Sequence, residues 1–346
     1  MTSRSTPVLA TVAELAGVSA PTVSKVINGR DDVAEATRVR VQAALDQVGY
    51  RSPSQRRIRS TGPAMVDLVI GVHDGAYSME VLRGILDYAV TVDVDVVVSS
   101  HTPNKLSRVD HEEWAQRMKE SGRTGIIFVT SQVSSDQVRA FSQRGIAVVV
   151  IDPLNPPPPG GYASVGATNW AGGKAATEHL LSLGHERVAF LGGPVAAECS
   201  IARLHGYLAA LMSRGIASRA DYVFDGGFNR ETGVAATRAV LDLAEPPTAI
   251  FAASDTIALG VLEVARERGL RVPDDLSLVG FDSTPLAEQT LPRLTSVAQP
   301  LQEMGRAALR GVLRLARGEQ LDSAHTELAT ELVVRDSTAR LISTRS

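Results

Sequence analysis

The 346-residue chain contains a single cysteine, Cys199, and this scarcity excludes two kinds of architecture. A disulfide framework needs several paired cysteines, and a cysteine-rich metal site needs them at short spacing. The chain also lacks an apolar run of about 18–20 residues, the length that a membrane-spanning helix requires. Its first residues, MTSRSTPVLATVAELAG, lack the charged, apolar and small-residue regions of a secretory signal. We therefore expect a protein of the reducing cytoplasm that has no membrane partner.

The residue patterns of common catalytic centres are missing as well. The seven histidines include no pair at a metal-ligand spacing such as H-x-x-x-H, and no serine lies in a nucleophile-elbow motif. The glycines of Gly192-Gly193-Pro194 lack the spacing of a phosphate loop or a dinucleotide fingerprint. These absences predict a protein that is not an enzyme and that uses no metal and no cofactor.

The chain does have enough apolar sequence for large buried cores. Hydrophobic residues make up 44% and charged residues 21%, which is typical of globular domains, and the length suits two or three of them. Charge is distributed unevenly, because residues 1–60 contain nine Lys/Arg and five Asp/Glu, a net charge of +4 that leaves −7 for the rest. A basic N-terminal module on an acidic body is expected when one small domain contacts phosphates.

Three short helices are predicted in the first fifty residues, at about 7–16, 20–28 and 35–48. Gly17 can adopt the left-handed conformation that ends the first helix, and Ser19 can cap the second. Two helices joined by a tight turn that contains glycine are typical of a helix-turn-helix, whose second helix enters the major groove of DNA.

The second helix has an apolar side and a polar side. Val23, Val26 and Ile27 can face the other two helices, so the residues left outside are Ala20, Pro21, Thr22, Ser24, Lys25 and Asn28. N-terminal residues of such a helix reach base edges, and hydroxyl and amide groups reach phosphates. A three-helix bundle without a role in DNA binding would have the same apolar pattern, so composition alone leaves both interpretations open.

From residue 66 onward, apolar β-branched runs alternate with amphipathic stretches. Strands are predicted at 66–72, 94–98, 125–129, 146–151, 187–191, 248–252 and 276–281. This alternation builds parallel sheets covered by helices on both faces, and the length of this region predicts two such units. Ligands of parallel sheets bind at the carboxyl ends of strands. The candidate ligand residues at these ends are Tyr77, Ser78, Asp152, Ser254, Asp255 and Asp282.

Several segments resemble the regulators of the lactose-repressor family. In the N-terminal region they are AGVSAPTVSKVING (16–29) and AEATRVRVQAALDQVGYR (34–51). In the body they are VGATNWAGGKAATEHLLSLGHERVAFLGGP (165–194), PPTAIFAASDTIALG (246–260), VPDDLSLVGFD (272–282) and LTSVAQP (294–300). The resemblance therefore covers nearly the whole chain.

This resemblance implies an all-α helix-turn-helix headpiece over 1–50 and a hinge over 51–63. Over 64–346 it implies an α/β core of two doubly wound parallel-sheet subdomains, similar to periplasmic binding proteins. The function implied is that of a sequence-specific DNA-binding regulator, most simply a repressor, which binds double-stranded operator DNA as a homodimer. One headpiece reads one half-site, and two-fold protein symmetry matches palindromic DNA.

By the same resemblance, Ala20, Pro21 and Lys25 lie where relatives read bases. The residues where relatives hold the DNA backbone are Thr22, Ser24 and Asn28. The hinge reads SPSQRRIRS and lacks the leucine that relatives insert into the minor groove. Ile58, beside Arg56 and Arg57, is the nearest apolar residue and is expected to act as the wedge. Packing of Ile58 against the core is the alternative.

The resemblance also places two residues in an effector pocket. Arg203 lies where relatives clamp the effector, and Phe228 lies where they have a stacking aromatic ring. With the strand-end carboxylates, these residues suit a sugar, because hydroxyl groups meet charged hydrogen-bonding groups and C–H groups meet a ring face. Cys199, one helical turn before Arg203, either lines the pocket or is a small buried side chain. Trp170 is either a second stacking ring or a packing residue.

We therefore expect a regulator whose affinity for its operator is altered by a mono- or oligosaccharide bound in the core. Two alternatives stay open. A purine-type corepressor would tighten DNA binding instead of releasing it, and a sugar-binding transport protein would have the same core. The signal-free, basic N-terminus argues against the transport protein.

Overall fold

The structure is a computed structural model, and it describes residues 8–27, 33–47, 63–71, 75–101, 109–155, 157 and 161–341. Four residues predicted to contact DNA lie outside the described residues, namely Asn28, Arg56, Arg57 and Ile58. The chain divides into two compact units, residues 1–63 and 64–346. Within the described part of the chain, no helix is both long enough and apolar enough to cross a membrane.

The first unit contains three helices: α1 (Val8–Ala16), α2 (Ala20–Ile27) and α3 (Glu35–Gln47). Their shared core consists of small apolar side chains, including Val12, Val23, Val26, Val41, Ala44 and Leu45. Gly17 has φ +64°, the left-handed conformation expected of the residue between α1 and α2. The three predicted helices are confirmed and form a helix-turn-helix, and Val23 and Val26 of α2 face the core as predicted; the side chain of Ile27 lies outside the described part of the structure.

The second unit is built on two six-stranded sheets, sheet A and sheet B. Sheet A contains β1 (Ala64–Gly71), β2 (Val94–His101), β3 (Arg123–Val129), β4 (Ala147–Ile151), β5 (Ala163–Ala167) and β11 (His325–Leu328). Its order is β11-β5-β4-β3-β1-β2, and every pair is parallel. Alternate residues of its strands enter opposite cores, because side chains of a strand alternate between the two faces of the sheet. Leu68 therefore lies in one core and Val69 in the other.

Sheet B contains β6 (Val188–Leu191), β7 (Val223–Phe224), β8 (Ala249–Ala252), β9 (Ser277–Asp282), β10 (Thr295–Ala298) and β12 (Glu331–Val333). Its order is β12-β10-β9-β8-β6-β7, and all pairs are parallel except β10 with β12. The central strands β6, β8 and β9 are buried along their whole length. Their apolar, β-branched composition is typical of strands that are covered on both faces.

Helices cover both sheets. They are α4 (Ala76–Val92), α5 (His111–Glu120), α6 (Ser135–Gln143), α7 (Asn169–Ser182), α8 (Glu198–Ser213), α9 (Arg230–Leu241), α10 (Asp255–Glu267), α11 (Pro285–Gln289) and α12 (Leu301–Ala316). The pairs α4–α12 and α5–α6 belong to sheet A, and the pairs α7–α8 and α9–α10 belong to sheet B. We call these two bodies the sheet-A half and the sheet-B half. The prediction of two doubly wound parallel-sheet subdomains is confirmed.

The chain crosses between the halves three times: at Thr168, at Gln299-Pro300 and between β11 and β12. Two of these crossings are hydrogen-bonded to each other. The hydroxyl oxygens of Thr168 and Thr330 are 2.9 Å apart, and the backbone N–H of Thr330 donates to Thr168 Oγ1 at 3.0 Å. Each half is therefore assembled from separate stretches of the sequence.

Candidate functional site

A pocket of about 60 Å³ lies between the two halves, at the carboxyl ends of their strands. The sheet-A half contributes Gly75, Tyr77, Thr130 and Asp152 to its wall. The contribution of the sheet-B half is Cys199, Arg203, Phe228, Ser254, Thr256 and Asp282. The structure thus brings together seven of the nine residues named from the sequence as ligand candidates.

Arg203 is the central cation of the pocket, and its side chain is 3% exposed. Nε donates to Asn169 Oδ1 at 2.8 Å, and Nη1 donates to the carbonyl oxygen of Ala253 at 2.6 Å. Nη1 also lies 3.6 Å from Asp282 Oδ1. These partners fix the plane of the guanidinium group and thereby the direction in which it can donate to a ligand.

Two aromatic rings flank Arg203. The guanidinium carbon lies 3.8 Å from the ring centre of Phe281 and 5.6 Å from that of Phe228. Phe281 is fully buried, whereas Phe228 is part of the pocket wall. A Cβ atom at Gly193 would lie 2.3 Å from the Phe228 ring, so the glycine makes the room that this ring occupies. Phe228 is therefore positioned to offer a ring face to a ligand.

Asp152 follows β4 and lies on the sheet-A side of the pocket. Its Oδ2 accepts a hydrogen bond from the Tyr77 hydroxyl at 2.5 Å. Burial raises the pKa of Asp152, while the Arg203 guanidinium and the hydrogen bond from Tyr77 oppose the rise. Burial and the Asp152 carboxylate raise the pKa of Tyr77 well above its usual range, so Tyr77 stays protonated and acts as a donor.

Asp282 is the second carboxylate beside Arg203. Its pKa is raised to about 8, mainly by burial and also by the Asp255 and Asp152 carboxylates, although the Arg203 charge opposes the rise. The side-chain amide of Gln299 donates to Asp282 Oδ1 at 2.7 Å. Near pH 7 Asp282 is therefore largely a neutral carboxyl group, which can both donate and accept a hydrogen bond with a ligand.

The backbone at these strand ends has an unusual conformation. Thr130 and Asp152 both have φ +44°, Asp282 has φ +99° and Ser283 has φ +48°. Non-glycine residues rarely adopt positive φ, and such conformations concentrate at binding sites. Three of these four residues, Thr130, Asp152 and Asp282, line the pocket.

Two further predicted residues line the wall with smaller polar groups. Ser254 caps α10, since its Oγ accepts from the Ile257 backbone N–H at 3.2 Å, and it also borders the pocket. Cys199 is buried and lines the pocket, which satisfies both interpretations of its role. Burial raises the pKa of the Cys199 thiol to about 12, so the side chain is a neutral thiol.

The structure does not bring Ser78, Asp255 and Trp170 to the pocket wall. Ser78 lies on the buried side of α4. Trp170 is half exposed, near the start of α7. Asp255 is turned away because its carboxylate already serves the sheet-B half: Oδ2 accepts from the backbone N–H and hydroxyl of Thr284, and Oδ1 accepts from Ser296.

Sequence reasoning missed several residues of the site. Gln299 and Asn169 hold Asp282 and Arg203 by hydrogen bonds, and Thr130 and Thr256 line the pocket. Gln299 comes just after β10, and Asn169 comes just after β5. Both would have been found by the strand-end rule if these two short strands had been recognised.

The outer surface of α2 is the second candidate site. Ala20, Pro21 and Lys25 are exposed, while Thr22 and Ser24 are half-buried. Ser19 caps the helix, since its Oγ accepts from the Thr22 backbone N–H at 3.4 Å and lies 2.9 Å from Thr22 Oγ1. The described polar residues thus lie on the side of α2 that does not face the three-helix core.

Among the described residues, no three His, Cys, Asp or Glu side chains are grouped so that they could hold a metal ion. The pocket instead combines carboxylates, one guanidinium group, hydroxyls and a ring face. This set can bind a small polar molecule, and its chemistry is that of recognition.

Two segments of the chain match described families. Residues 8–53 match "Bacterial regulatory proteins, lacI family", and residues 177–338 match "Periplasmic binding protein-like domain". The first match covers the helix-turn-helix, and the second covers most of the sheet-B half together with α12 and β11.

Similar proteins extend over almost the whole chain. The HTH-type transcriptional regulator CelR of Thermobifida fusca is 33% identical, over 97% of this chain and 100% of that protein. Catabolite control protein A of Priestia megaterium is 31% identical, over 94% and 98%. The HTH-type transcriptional repressor CytR of Escherichia coli (strain K12) is 32% identical, over 95% and 96%.

Solved structures give the same result. A CelR–cellobiose complex has a TM-score of 0.71 and 31% identity, covering 96% of this chain and 100% of that one. A lac repressor dimer bound to operator has a TM-score of 0.68 and 25% identity, covering 95% and 98%. Both likenesses include the N-terminal unit as well as the two-sheet core.

Proposed function

The chain belongs to the lacI family of bacterial regulatory proteins, and from that premise we propose that it is a sugar-responsive, dimeric repressor. In this proposal, α2 reads operator DNA and the pocket between the halves binds the sugar. The observation that carries it is the buried Arg203, which lies beside Asp282 and the Phe228 ring in a pocket that Asp152 also lines, in a chain that also has a helix-turn-helix.

The proposed DNA contacts follow from the side chains on the outer surface of α2. Lys25 can donate to a guanine as a single donor group, and Ala20 can contact a thymine methyl group. Thr22 and Ser24 offer hydroxyls to phosphates. Pro21 offers no side-chain hydrogen bond, so phosphate contacts and DNA shape supply a large part of the affinity.

The proposed binding of a sugar follows from the hydrogen-bond donors and acceptors of the pocket. Asp152 and Asp282 can accept hydrogen bonds from sugar hydroxyls, Arg203 can donate to ring or hydroxyl oxygens, and Phe228 can cover a C–H face. Because Asp152 belongs to the sheet-A half and the other three to the sheet-B half, one ligand would hold both halves together.

Dimerisation is supported by an apolar face on the sheet-A half. Met79, Leu86 and Val90 lie seven and four residues apart on α4, so they share one side of the helix, and all three are exposed. Val98, on the edge strand β2, is 49% exposed. Exposed apolar surface of this kind typically marks a protein–protein interface, and a second copy of the chain would satisfy it.

The ligand would then control DNA binding by changing how the sheet-A half and the sheet-B half are arranged relative to each other. A ligand that prefers one arrangement of the halves shifts the protein toward it, by no more than its difference in affinity for the two arrangements. If the dimer binds its operator best in the other arrangement, the sugar acts as an inducer.

The proposal is tested by fluorescence anisotropy with an operator selected by the full-length protein from random DNA. Sugars and nucleobases are then added to the complex. We expect binding of a near-palindromic site and its release by a sugar. Tightening by a purine would instead identify a corepressor-dependent repressor, and a complex that no small molecule changes would contradict ligand control.

A further inference from the structure

A second cavity, which we call the side groove, borders the pocket. Its volume is about 720 Å³, and its walls come from β5 and β11 of the sheet-A half and from α8 of the sheet-B half. Asp152 and Cys199 line both the side groove and the pocket. The two cavities therefore meet at these two side chains.

The volumes of the two cavities differ by an order of magnitude. The pocket, at about 60 Å³, is far below the roughly 300–1,000 Å³ that is usual for a small-molecule site, whereas the side groove lies within that range. A ligand that contacts Arg203 must therefore extend beyond the pocket. The side groove is the adjoining space that Asp152 connects to it.

Asp152 offers its two carboxylate oxygens to different neighbours. Oδ2 accepts from the Tyr77 hydroxyl, whereas Oδ1 lies beside Gly166, where a Cβ atom would be 3.1 Å away. Gly166 also lines the side groove. Because this residue has no side chain, the space beside Oδ1 is left to the groove, and Asp152 can bind a ligand that spans both cavities.

The polar groups of the side groove are suited to an uncharged ligand with hydroxyl groups. Glu198 and Glu327 provide carboxylates, and His205 and His325 provide imidazole rings. The described lining of the groove contains no lysine or arginine. A phosphate group in the side groove would therefore lie near carboxylates without a lysine or arginine beside it, whereas sugar hydroxyls there would find hydrogen-bond acceptors.

Between these polar groups lies a smooth apolar surface. Pro153, Ala167, Ile201 and Ala202 contribute small or flat side chains to the groove wall. C–H faces of a pyranose ring pack well on such surfaces, while its hydroxyls point toward the polar rim. The small side chain of Ala202, on α8, also keeps the width of the groove open.

We propose that the side groove binds the second ring of a neutral disaccharide or longer oligosaccharide, whose first ring is held by Arg203 and Asp282. This inference rests on the sugar-controlled function proposed above and narrows the effector to at least two rings. A monosaccharide would leave most of the side groove empty and should bind more weakly, and a phosphate group in the groove would lie near its carboxylates.

The test is isothermal titration calorimetry on the full-length protein with matched pairs of sugars. The pairs are glucose with cellobiose, glucose with maltose, galactose with lactose, and xylose with xylobiose; glucose 6-phosphate and adenosine complete the panel. We expect one disaccharide to bind at least tenfold more tightly than its own monosaccharide, and glucose 6-phosphate not to bind.

Two variants locate the gain in affinity. Ala202→Trp fills the groove and should remove the advantage of the disaccharide, while Met212→Trp, at an exposed position near the end of the same helix, should retain it. Glu327→Ala removes an exposed carboxylate without adding volume. It should weaken disaccharide binding about tenfold and monosaccharide binding clearly less, because the Glu327 charge acts on Asp152 only from a distance.

The outcomes separate this inference from the function on which it rests. A monosaccharide that binds as tightly as its disaccharide and releases the operator would overturn the role of the side groove and leave the regulator intact. Tight binding of adenosine or glucose 6-phosphate would overturn the neutral-saccharide class. Full disaccharide affinity in folded Ala202→Trp would also overturn the site, whereas a protein that responds to no sugar contradicts the function itself.

Discussion

Arg203 Nη1 lies 3.6 Å from Asp282 Oδ1, and both side chains are almost completely buried in the sheet-B half. A buried pair of this kind contributes little net stability, because desolvation offsets much of the attraction even when both groups are charged. Its position in a pocket wall is the reason why we propose a role for it in ligand binding. The ring of Phe228 and the carboxylate of Asp152 complete the same wall.

Arg203→Lys is expected to weaken effector binding about tenfold to a hundredfold, because lysine keeps the charge but loses the planar set of donors. In free energy this is about 1.4–2.8 kcal/mol of binding. Calorimetry with the effector measures the loss of affinity, and thermal unfolding measures any change in stability separately. Arg271→Lys, at an exposed position, is the matched control and should change neither value. Effector affinity that is unchanged in Arg203→Lys would remove the arginine from the site.

The Asp282→Asn variant is expected to become more stable relative to the wild-type protein as the pH rises. The pKa of Asp282 is raised to about 8, so the folded state holds a proton that the unfolded state releases near pH 4. The stability due to this proton is present below about pH 4 and is lost as the pH rises to about 8. The advantage of the asparagine variant should therefore grow over this range and then level off.

Chemical denaturation of the wild-type protein and of Asp282→Asn at pH 5, 7 and 9 measures this difference in the free energy of unfolding. Each unit of pKa shift corresponds to about 1.4 kcal/mol. Asp336→Asn is the control, because Asp336 is exposed and its pKa is lowered by Arg293. A constant difference between wild type and Asp282→Asn across these pH values would contradict the raised pKa.

Lys25→Ala is expected to lower operator affinity by about 1–3 kcal/mol and to relax specificity at one base pair of each half-site. Lys25→Arg should retain or improve binding where that base is guanine, because arginine can donate two hydrogen bonds. Anisotropy titrations against operators substituted at single positions measure both effects. Arg271→Ala removes one positive charge from an exposed position of the second unit and should not change operator binding. If Lys25→Ala lowers affinity equally for every substituted operator, Lys25 contacts a phosphate and not a base.

Val90→Glu is expected to convert the dimer to monomers and to weaken operator binding. Val90 is 85% exposed on α4, and a carboxylate buried there without a partner would destabilise an apolar interface. Sedimentation velocity measures the change in mass. Met212→Glu places the same charge on another exposed apolar position, and it should leave the dimer intact. A dimer that survives Val90→Glu would exclude this face as the interface.

Much of the fold could be predicted from the sequence, because the central strands are buried on both faces. All seven predicted strands form, since apolar runs rich in β-branched residues, such as those of β1 and β4, favour buried strands. The strands β5, β7, β10, β11 and β12 were not recognised. They are two to five residues long, and β11 (HTEL) is largely exposed, so no apolar pattern marks it.

The site was predictable in position but not in the direction of its side chains. The strand-end rule placed Asp152, Asp255 and Asp282 at the same edge, and the backbone does place them there. Only the tertiary structure shows that Thr284 and Ser296 draw the Asp255 carboxylate away from the pocket. The side groove could not be predicted, because it depends on how β5 and β11 pair across more than 150 residues of sequence.

The three crossings between the halves also determine the order in which the cores can close during synthesis. Strands β1–β5 leave the ribosome first, but their inner face, with Leu68 and Ile127, is covered by Leu309 of α12. That helix is translated only after the sheet-B half, from α7 to β10. This face is covered only in part, by α4, while more than a hundred residues are added, and exposed apolar surface of this kind is bound by chaperones. The half that is translated first is therefore completed only after most of the other half has been made.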